Sequence, residues 1–293
     1  REKDRLIIMT FKKYTQLWFI LTLVMAIEYI TLNYNQSFSI LFFLKSNVGA
    51  LEDMNLSTAA GKTISMYLGV SGMVVMLVTN FYILRKRWFR MQKIGKLPGW
   101  LNFHIFCGMF GPSLILFHTD MKFGGLVALS FWSMMIVAWS GVIGRYFYIQ
   151  VLTKKGDVVR RLGKIEKFLK EKLDETEVED KEATLEKLKR NSVSFVGGDS
   201  NTEDLAFAAL VGVFLKSIIA DIKLLFTRPK SLPGLHPDIE EALYHYALTL
   251  RKINYFSPFQ NLLGYWHSFH IPFAVIMYVV AAIHIAVALL FQV

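Results

Sequence analysis

Five long apolar blocks, separated by polar or strongly basic connectors, dominate the pattern of hydrophobic and polar positions along the chain. They run over residues 17–34, 64–84, 100–118, 125–148 and 266–291. A helix needs about 20 predominantly apolar residues to cross the hydrocarbon layer of a bilayer, and each block meets or approaches that length. We therefore predict an all-α membrane protein with about five transmembrane helices that form a bundle.

The pattern changes between the fourth and fifth blocks. Residues 154–190 are highly charged and have helical propensity, which is typical of a solvated helical hairpin. Residues 205–226 are long enough to cross, but Lys216, Asp221 and Lys223 fall near one face, which favours an amphipathic helix on the membrane surface. We accordingly divide the chain into transmembrane helices one to four over residues 1–150, a cytoplasmic helical insertion over 151–264, and the last transmembrane helix over 265–293.

The distribution of lysine and arginine predicts the orientation, because cytoplasmic connectors carry an excess of these residues. The connector after the second block contains Arg85, Lys86, Arg87, Arg90, Lys93 and Lys96. The connector between the first and second blocks has only Lys45 and Lys62, balanced by Glu52 and Asp53. We therefore expect an integral protein of the cytoplasmic (inner) membrane, with the N-terminus and the insertion in the cytoplasm.

Composition narrows the choice of partners. The 293 residues are 54% hydrophobic and carry a net charge of +10. The basic residues cluster at the ends of apolar blocks, so we expect them to face membrane lipid rather than nucleic acid. The single Cys107 lies inside an apolar block, which excludes a disulfide framework, a cysteine zinc site and a C-x-x-C-H site for covalent haem attachment.

Four of the seven histidines form two pairs with the same spacing of fourteen residues, His104 with His118 and His270 with His284. Fourteen residues are almost four helical turns, so each pair shares one face of its helix at a separation of about 21 Å along the axis. Two such helices side by side would oppose imidazoles at two depths. A haem iron takes axial ligands from above and below its plane, so each level could hold one b-type haem.

A single histidine in an apolar helix is more often a hydrogen-bonded interior residue than a ligand. Four histidines at matching heights on two spans favour ligation, because ionisable side chains inside a membrane are rare and usually functional. No cysteine or carboxylate shares these faces to complete a zinc or di-iron site. We therefore predict that His104, His118, His270 and His284 ligate the iron of two haems, with His104 opposite His270 and His118 opposite His284 if both spans run the same way.

Further residues are candidates for supporting roles around the haems. Gly108 and Gly111 follow His104 on its face and could give room for a ring, although ordinary small-residue helix packing is the alternative. Arg145 at the end of the fourth block and Lys122 after the third could each meet a haem propionate, or could serve only as interfacial cations. Met277, midway between His270 and His284, could touch both rings or belong to the core.

Two more ionisable residues keep open alternatives. Glu28 could accept a proton released by quinol, but a carboxyl group that pairs with a neighbouring Tyr or Asn or reaches the outer interface is the favoured interpretation. His267, one turn before His270, could be a rival ligand, a propionate contact or a quinone contact. The equal spacing favours His270 as the ligand.

Two segments carry a resemblance to a known group of proteins. The first contains Trp100-Leu-Asn-Phe-His104 and Gly111-Pro-Ser-Leu-Ile-Leu-Phe-His118-Thr, and the second is Tyr265-Trp-His267-Ser-Phe-His270 leading to His284. Over the last three spans the chain resembles the bis-haem b-type cytochromes, which include the cytochrome b/b6 type and the ferric reductase-like transmembrane domains. It departs from full NADPH oxidases, in which a flavin and nucleotide-binding domain follows the last span, and it has an insertion between the fourth and fifth spans.

The resemblance implies a membrane-bound di-haem cytochrome b that transfers electrons between a quinol/quinone pool and a partner redox subunit or cytochrome. We expect it to act within a quinol-linked oxidoreductase complex, with two b-type haems as cofactors and quinone as a further candidate ligand. The alternative is a membrane protein that handles or transports haem without a redox circuit.

Overall fold

The computed structural model describes residues 2–47, 54–88, 97–125, 127–152, 155–175, 180–196, 207–226 and 237–291. Secondary structure in these ranges is helical, and no strand occurs among them. The sequence positions Arg90, Lys93, Lys96 and His236 lie outside the described residues. The prediction of an all-α membrane protein is confirmed.

Eleven α-helices and one 3₁₀ turn follow one another along the described chain. They are α1 (Glu2–Tyr34), the 3₁₀ turn (Gln36–Phe38), α2 (Ile40–Asn47), α3 (Thr63–Val78), α4 (Phe81–Arg87), α5 (Leu97–His118), α6 (Val127–Val151), α7 (Lys155–Asp174), α8 (Lys181–Val196), α9 (Phe207–Phe226), α10 (Pro237–Asn254) and α11 (Phe256–Phe291). Two of these helices contain an internal proline. Helix α5 continues through Pro112, and helix α11 continues through Pro272.

Five segments of the described chain are long and apolar enough to cross a membrane. They are Phe11–Tyr34, Thr63–Arg87, Leu97–His118, Val127–Val151 and Phe256–Leu290, and they coincide with the five predicted blocks. The second segment is made of α3 and α4, which are separated at Thr79 and Asn80. Among the described residues, α9 does not belong to this set, since it carries Lys216, Asp221 and Lys223.

The chain divides into two compact units. The first comprises residues 1–142 and 270–293, and the second comprises residues 143–269. The second unit therefore includes the charged insertion together with the last turns of α6 and the first turns of α11. The four paired histidines all belong to the first unit.

Within the first unit, α5 packs closely against α1, α3 and α4. Gly111 of α5 meets α3 where a Cβ atom would lie 3.2 Å from the Gly72 carbonyl oxygen and 2.5 Å from Met76 Cγ. The absence of side chains at both glycines lets the two backbones approach, as is common between helices in membranes. On the other side of α5, Trp18 Nε1 donates a hydrogen bond to Ser113 Oγ at 3.1 Å.

Within the second unit, α7, α8 and α10 share an apolar core. Leu169 and Leu173 of α7, Leu185 and Leu188 of α8, and Ile239, Leu243 and Tyr246 of α10 form this cluster. The charged residues of the sequence remain outside it, where Lys189 pairs with Glu166 across the hairpin at 3.3 Å. The predicted helical hairpin thus corresponds to α7 and α8, and it buries its apolar stripe against α10.

Candidate functional site

His118 at the end of α5 is held by the first turns of α3. Its Nδ1 lies 2.7 Å from the Ser65 carbonyl oxygen, and Ser65 Oγ donates to the His118 carbonyl oxygen at 2.9 Å. The ring lies against Gly69, where a Cβ atom would come within 2.7 Å of His118 Nδ1. Because a carbonyl oxygen only accepts, Nδ1 carries the hydrogen and Nε2 keeps its lone pair.

His104, near the start of α5, is oriented in the same way by the other end of α3. Its Nδ1 lies 2.9 Å from the Thr79 carbonyl oxygen, which leaves Nε2 as the nitrogen with a lone pair. Thr79 immediately follows the last residue of α3, and its carbonyl oxygen also accepts a hydrogen bond from the Tyr82 backbone N–H at 3.2 Å. Tyr82 of α4 lies beside the imidazole, with 5.4 Å between the ring centroids. The interruption between α3 and α4 therefore supplies the acceptor that fixes this histidine.

His270 of α11 is oriented by Ser140 of α6. Its Nδ1 lies 2.7 Å from Ser140 Oγ, and Ser140 Oγ itself donates to the Val137 carbonyl oxygen at 3.0 Å. A hydroxyl group can either donate or accept, so the direction of the bond between Ser140 Oγ and His270 Nδ1 depends on the tautomer of His270. Metal-ligating histidines commonly have their second ring nitrogen bound to a carbonyl, carboxylate or other acceptor that sets the tautomer.

His284 of α11 lies opposite His118. The centroids of the two imidazole rings are 6.5 Å apart and the ring planes are inclined by 61°. Imidazole binds metals at about 2.0–2.1 Å, so two rings on opposite sides of one metal ion would have centroids about 6 Å apart. The structure therefore brings together the pair that was expected if the third and fifth spans run in the same direction.

The middle of α11 is fixed by hydrogen bonds from neighbouring helices. Ser130 Oγ of α6 donates to the Met277 carbonyl oxygen at 3.0 Å, and Tyr278 donates to the Met76 carbonyl oxygen at 2.7 Å. Met277, midway between the two histidines of α11, is buried in a cluster with Met76, Phe131 and Met134. This core holds the rotation of α11 about its axis, and with it the direction in which His270 and His284 lie.

The two glycines of α5 have different surroundings. Gly108, one turn after His104, has open space where a Cβ atom would lie. Gly111 faces α3 and makes the close helix contact with Gly72, which is the small-residue packing left open as its alternative role. Gly108 is therefore the glycine beside which the structure leaves room.

Three further candidates from the sequence, Arg145, His267 and Lys122, differ in burial and in their partners. Arg145 is buried near the end of α6 and belongs to the second unit, as does His267, which is exposed. Lys122 is exposed and pairs with Asp120 at 2.9 Å, and Asp120 also accepts a hydrogen bond from Tyr29. The hydrogen bond from Tyr29 and the nearby Lys122 hold the pKa of the Asp120 carboxyl group below its usual range.

Glu28 is engaged in a structural contact. Its carboxylate accepts hydrogen bonds from Ser39 Oγ at 2.5 Å and from the backbone N–H groups of Ile40 and Leu41, each at 2.9 Å. These donors form the first turn of α2, where backbone N–H groups lack partners within the helix. Glu28 thus caps α2 from α1, and its carboxylate is paired with Ser39 and backbone N–H groups rather than with the Tyr or Asn that the sequence suggested.

Sequence reasoning missed the residues that orient the histidines. Backbone carbonyl oxygens come from Ser65, next to His118, and from Thr79, next to His104. Gly69 leaves space for the His118 ring, and Ser140 places a hydroxyl group beside His270. A small or hydroxyl-bearing residue inside an apolar helix is a weak signal, because the same residues serve ordinary helix packing.

The fold and its five apolar segments define a helical integral membrane protein. Among the residues that the structure describes, no group of three or more histidine, cysteine, aspartate or glutamate side chains could hold a metal ion. Comparison of the chain with models of protein families, with curated proteins and with solved structures finds no match. The observed geometry brings one predicted pair of histidines together, His118 and His284, with 6.5 Å between their ring centroids.

Proposed function

We propose that the chain is a membrane-bound di-haem cytochrome b subunit that moves electrons across the bilayer between a quinol/quinone pool and a partner redox protein. The observation that carries the proposal is the opposition of the His118 and His284 rings, with 6.5 Å between their centroids. Nδ1 of His118 and of His104 lies next to a backbone carbonyl oxygen, which supports metal binding through Nε2 of these two histidines, and Nδ1 of His270 lies beside the Ser140 hydroxyl group.

In this proposal His118 and His284 ligate one haem, and His104 and His270 ligate the other. When bound, each haem iron takes up and releases one electron, which lets the two levels form a path across the membrane. The open space beside Gly108 supports room for a ring next to His104. Arg145 belongs to the second unit, and its role as a partner for an anionic propionate stays a prediction from the sequence.

The chain's own groups would tune these centres. The hydrogen bonds to carbonyl oxygens would hold His104 and His118 in one tautomer and increase their basicity toward a metal. Surrounding apolar side chains such as Met277 exclude water from between the helices. We further propose that the protein lies in the cytoplasmic (inner) membrane with its basic connectors on the cytoplasmic side, because lysine and arginine accumulate there.

An optical redox titration of the purified full-length chain, with and without a menaquinol analogue, tests the proposal. We expect two one-electron transitions of b-type haem and reduction of the haem by the quinol. Replacing His118 or His284 by leucine should remove the same transition, and replacing His104 or His270 should remove the other. His267→Leu is the matched control, since this exposed histidine one turn before His270 should keep both transitions.

The alternative of haem handling predicts a different result. Haem that is lost on washing and is not reduced by the menaquinol analogue would contradict electron transfer and favour transient haem binding. Retention of both transitions in the His118 and His284 variants would contradict the ligand assignment.

A further inference from the structure

Helix α9 has two apolar faces, of which one is buried. Leu210 and Val213 pack against Phe147 of α6 and against Phe259 and Leu262 of α11, all within the second unit. Phe147 lies in the last turns of the fourth candidate span, and Phe259 and Leu262 lie in the first turns of the fifth. The buried face therefore attaches α9 to the ends of two membrane spans.

The opposite face of α9 is apolar and exposed. Leu215, Ile219 and Ile222 follow one another at helical spacing, and their exposed fractions are 53%, 66% and 51%. Lys216 and Lys223 are seven residues apart along one edge of this stripe, and both are exposed. An apolar stripe edged by lysines is the pattern of a helix that lies in a membrane interface.

The acidic residue of α9 is kept away from this face. Asp221 pairs with Arg251 of α10 at 2.8 Å and accepts a hydrogen bond from the Tyr146 hydroxyl of α6 at 2.6 Å. Arg251 is buried and also donates to the carbonyl oxygen and the hydroxyl oxygen of Ser217, at 2.8 and 2.6 Å. The charge of Asp221, whose side chain is 40% exposed, is thus compensated by Arg251, and the charged residues of α9 beside the exposed apolar stripe are Lys216 and Lys223.

We propose that α9 lies in the plane of the membrane and binds anionic lipid headgroups. Leu215, Ile219 and Ile222 would enter the boundary between headgroups and acyl chains, and Lys216 and Lys223 would extend to the phosphate groups. The contacts of α9 with Phe147, Phe259 and Leu262 attach it to the ends of two candidate spans, and a span ends near the headgroups. Lipid binding by α9 is independent of haem binding, because these contacts of α9 all lie within the second unit.

Spin labels on the full-length chain in lipid nanodiscs test the depth of the helix. Ile219→Cys and Ile222→Cys should give labels that collide with oxygen more than with a water-soluble nickel chelate, as expected for shallow immersion. Lys187→Cys on exposed α8 is the control and should show the reverse. The buried native Cys107 should remain unlabelled, and Cys107→Ser provides a background without it.

Two results would overturn this placement. A label at Ile219 or Ile222 that is as accessible to the nickel chelate as the one at Lys187 would mean that the face meets water or a soluble partner. A label at Lys216→Cys that lies near the bilayer centre would mean that α9 crosses the membrane.

The lipid preference needs a separate measurement. We expect phosphatidylglycerol to be enriched over phosphatidylcholine in lipid that copurifies with the chain, and Lys216→Gln with Lys223→Gln to reduce that enrichment at least twofold. The matched control replaces two exposed lysines of α7 and α8, Lys164→Gln with Lys187→Gln, and should leave it unchanged. Equal enrichment in the two double variants would contradict headgroup binding by α9.

Discussion

At the scale of single residues, the orientation of the imidazoles matters as much as their presence. His118 and His104 direct Nδ1 to backbone carbonyl oxygens of Ser65 and Thr79, and His270 directs it to a hydroxyl group. A backbone acceptor cannot be removed by a side-chain substitution, so these tautomers are set by the fold itself. Substitution can instead change Gly69, whose lack of a side chain leaves space for the His118 ring, and Ser140, whose hydroxyl group lies beside His270 Nδ1.

Gly69→Ala tests whether the His118 ring must occupy its observed position. A Cβ atom there would lie 2.7 Å from His118 Nδ1 and 2.8 Å from its Cε1, so the ring must move. We expect loss of the haem at the His118 and His284 level and retention of the other, measured by haem absorbance per chain. Gly264→Ala, in α11 where the added atom meets open space, is the control for adding a methyl group to a helix.

Ser140→Ala removes the hydroxyl group beside His270 Nδ1 without disturbing the backbone. Loss of such a supporting hydrogen bond typically weakens metal binding about 10–100-fold, and we expect this effect at one haem only. Haem titration of the apo protein measures it. Ser71→Ala, which removes an exposed hydroxyl group bonded only to its own helix, should bind haem like the unmodified chain. Unchanged haem affinity in Ser140→Ala would argue against His270 as a ligand.

The repeated spacing of the histidines is visible in the sequence because both pairs lie on single helices. Their supporting residues are not, since Ser65, Thr79 and Ser140 come close only when α3 and α6 pack beside α5 and α11. A carbonyl oxygen is present at every residue, so the sequence carries no sign of which one will accept a hydrogen bond.

At the scale of helices, Glu28 illustrates how a charged group inside an apolar segment can be structural. It joins α1 to α2 by accepting from three donors at the start of α2. A negative charge is favourable at a helix N-terminus, because backbone N–H groups there point toward it. This contact explains why α1 tolerates a carboxylate in its apolar stretch.

Glu28→Ala separates the capping role from a role in proton transfer. We expect a loss of stability of about 1 kcal/mol, typical of a lost helix cap, with menaquinol-dependent haem reduction unchanged. Thermal unfolding and the reduction rate measure the two effects. Ser46→Ala removes an exposed hydroxyl group of α2 and should alter neither. A slower reduction in a variant of normal stability would support proton acceptance by Glu28.

The five membrane-spanning segments could be predicted from the sequence, because their apolar length identifies them. The five apolar blocks coincide with the five candidate spans, because crossing a bilayer requires a minimum apolar length. The interruption between α3 and α4 at Thr79 and Asn80 could not be predicted, because the apolar pattern runs through it. Nor could the packing of α10 on α7 and α8, since an amphipathic stripe does not specify its partner.

At the scale of the whole molecule, the chain has an all-α membrane fold, and we propose a redox function for it. The fold follows from composition and apolar length. The proposed redox function depends on α5 and α11, whose His118 and His284 lie opposite each other, and α11 is hydrogen-bonded to α3 and α6. No comparison with known proteins supplies this assignment, so the haem itself must be measured.

The most direct measurement is the number of b-type haems per chain in the purified full-length protein, by the pyridine haemochrome assay together with low-temperature electron paramagnetic resonance. We expect two haems b per chain, both six-coordinate and low-spin with two imidazole ligands. A colourless protein, or haem whose spectrum is unaffected when His118 and His284 are replaced together, would contradict this expectation.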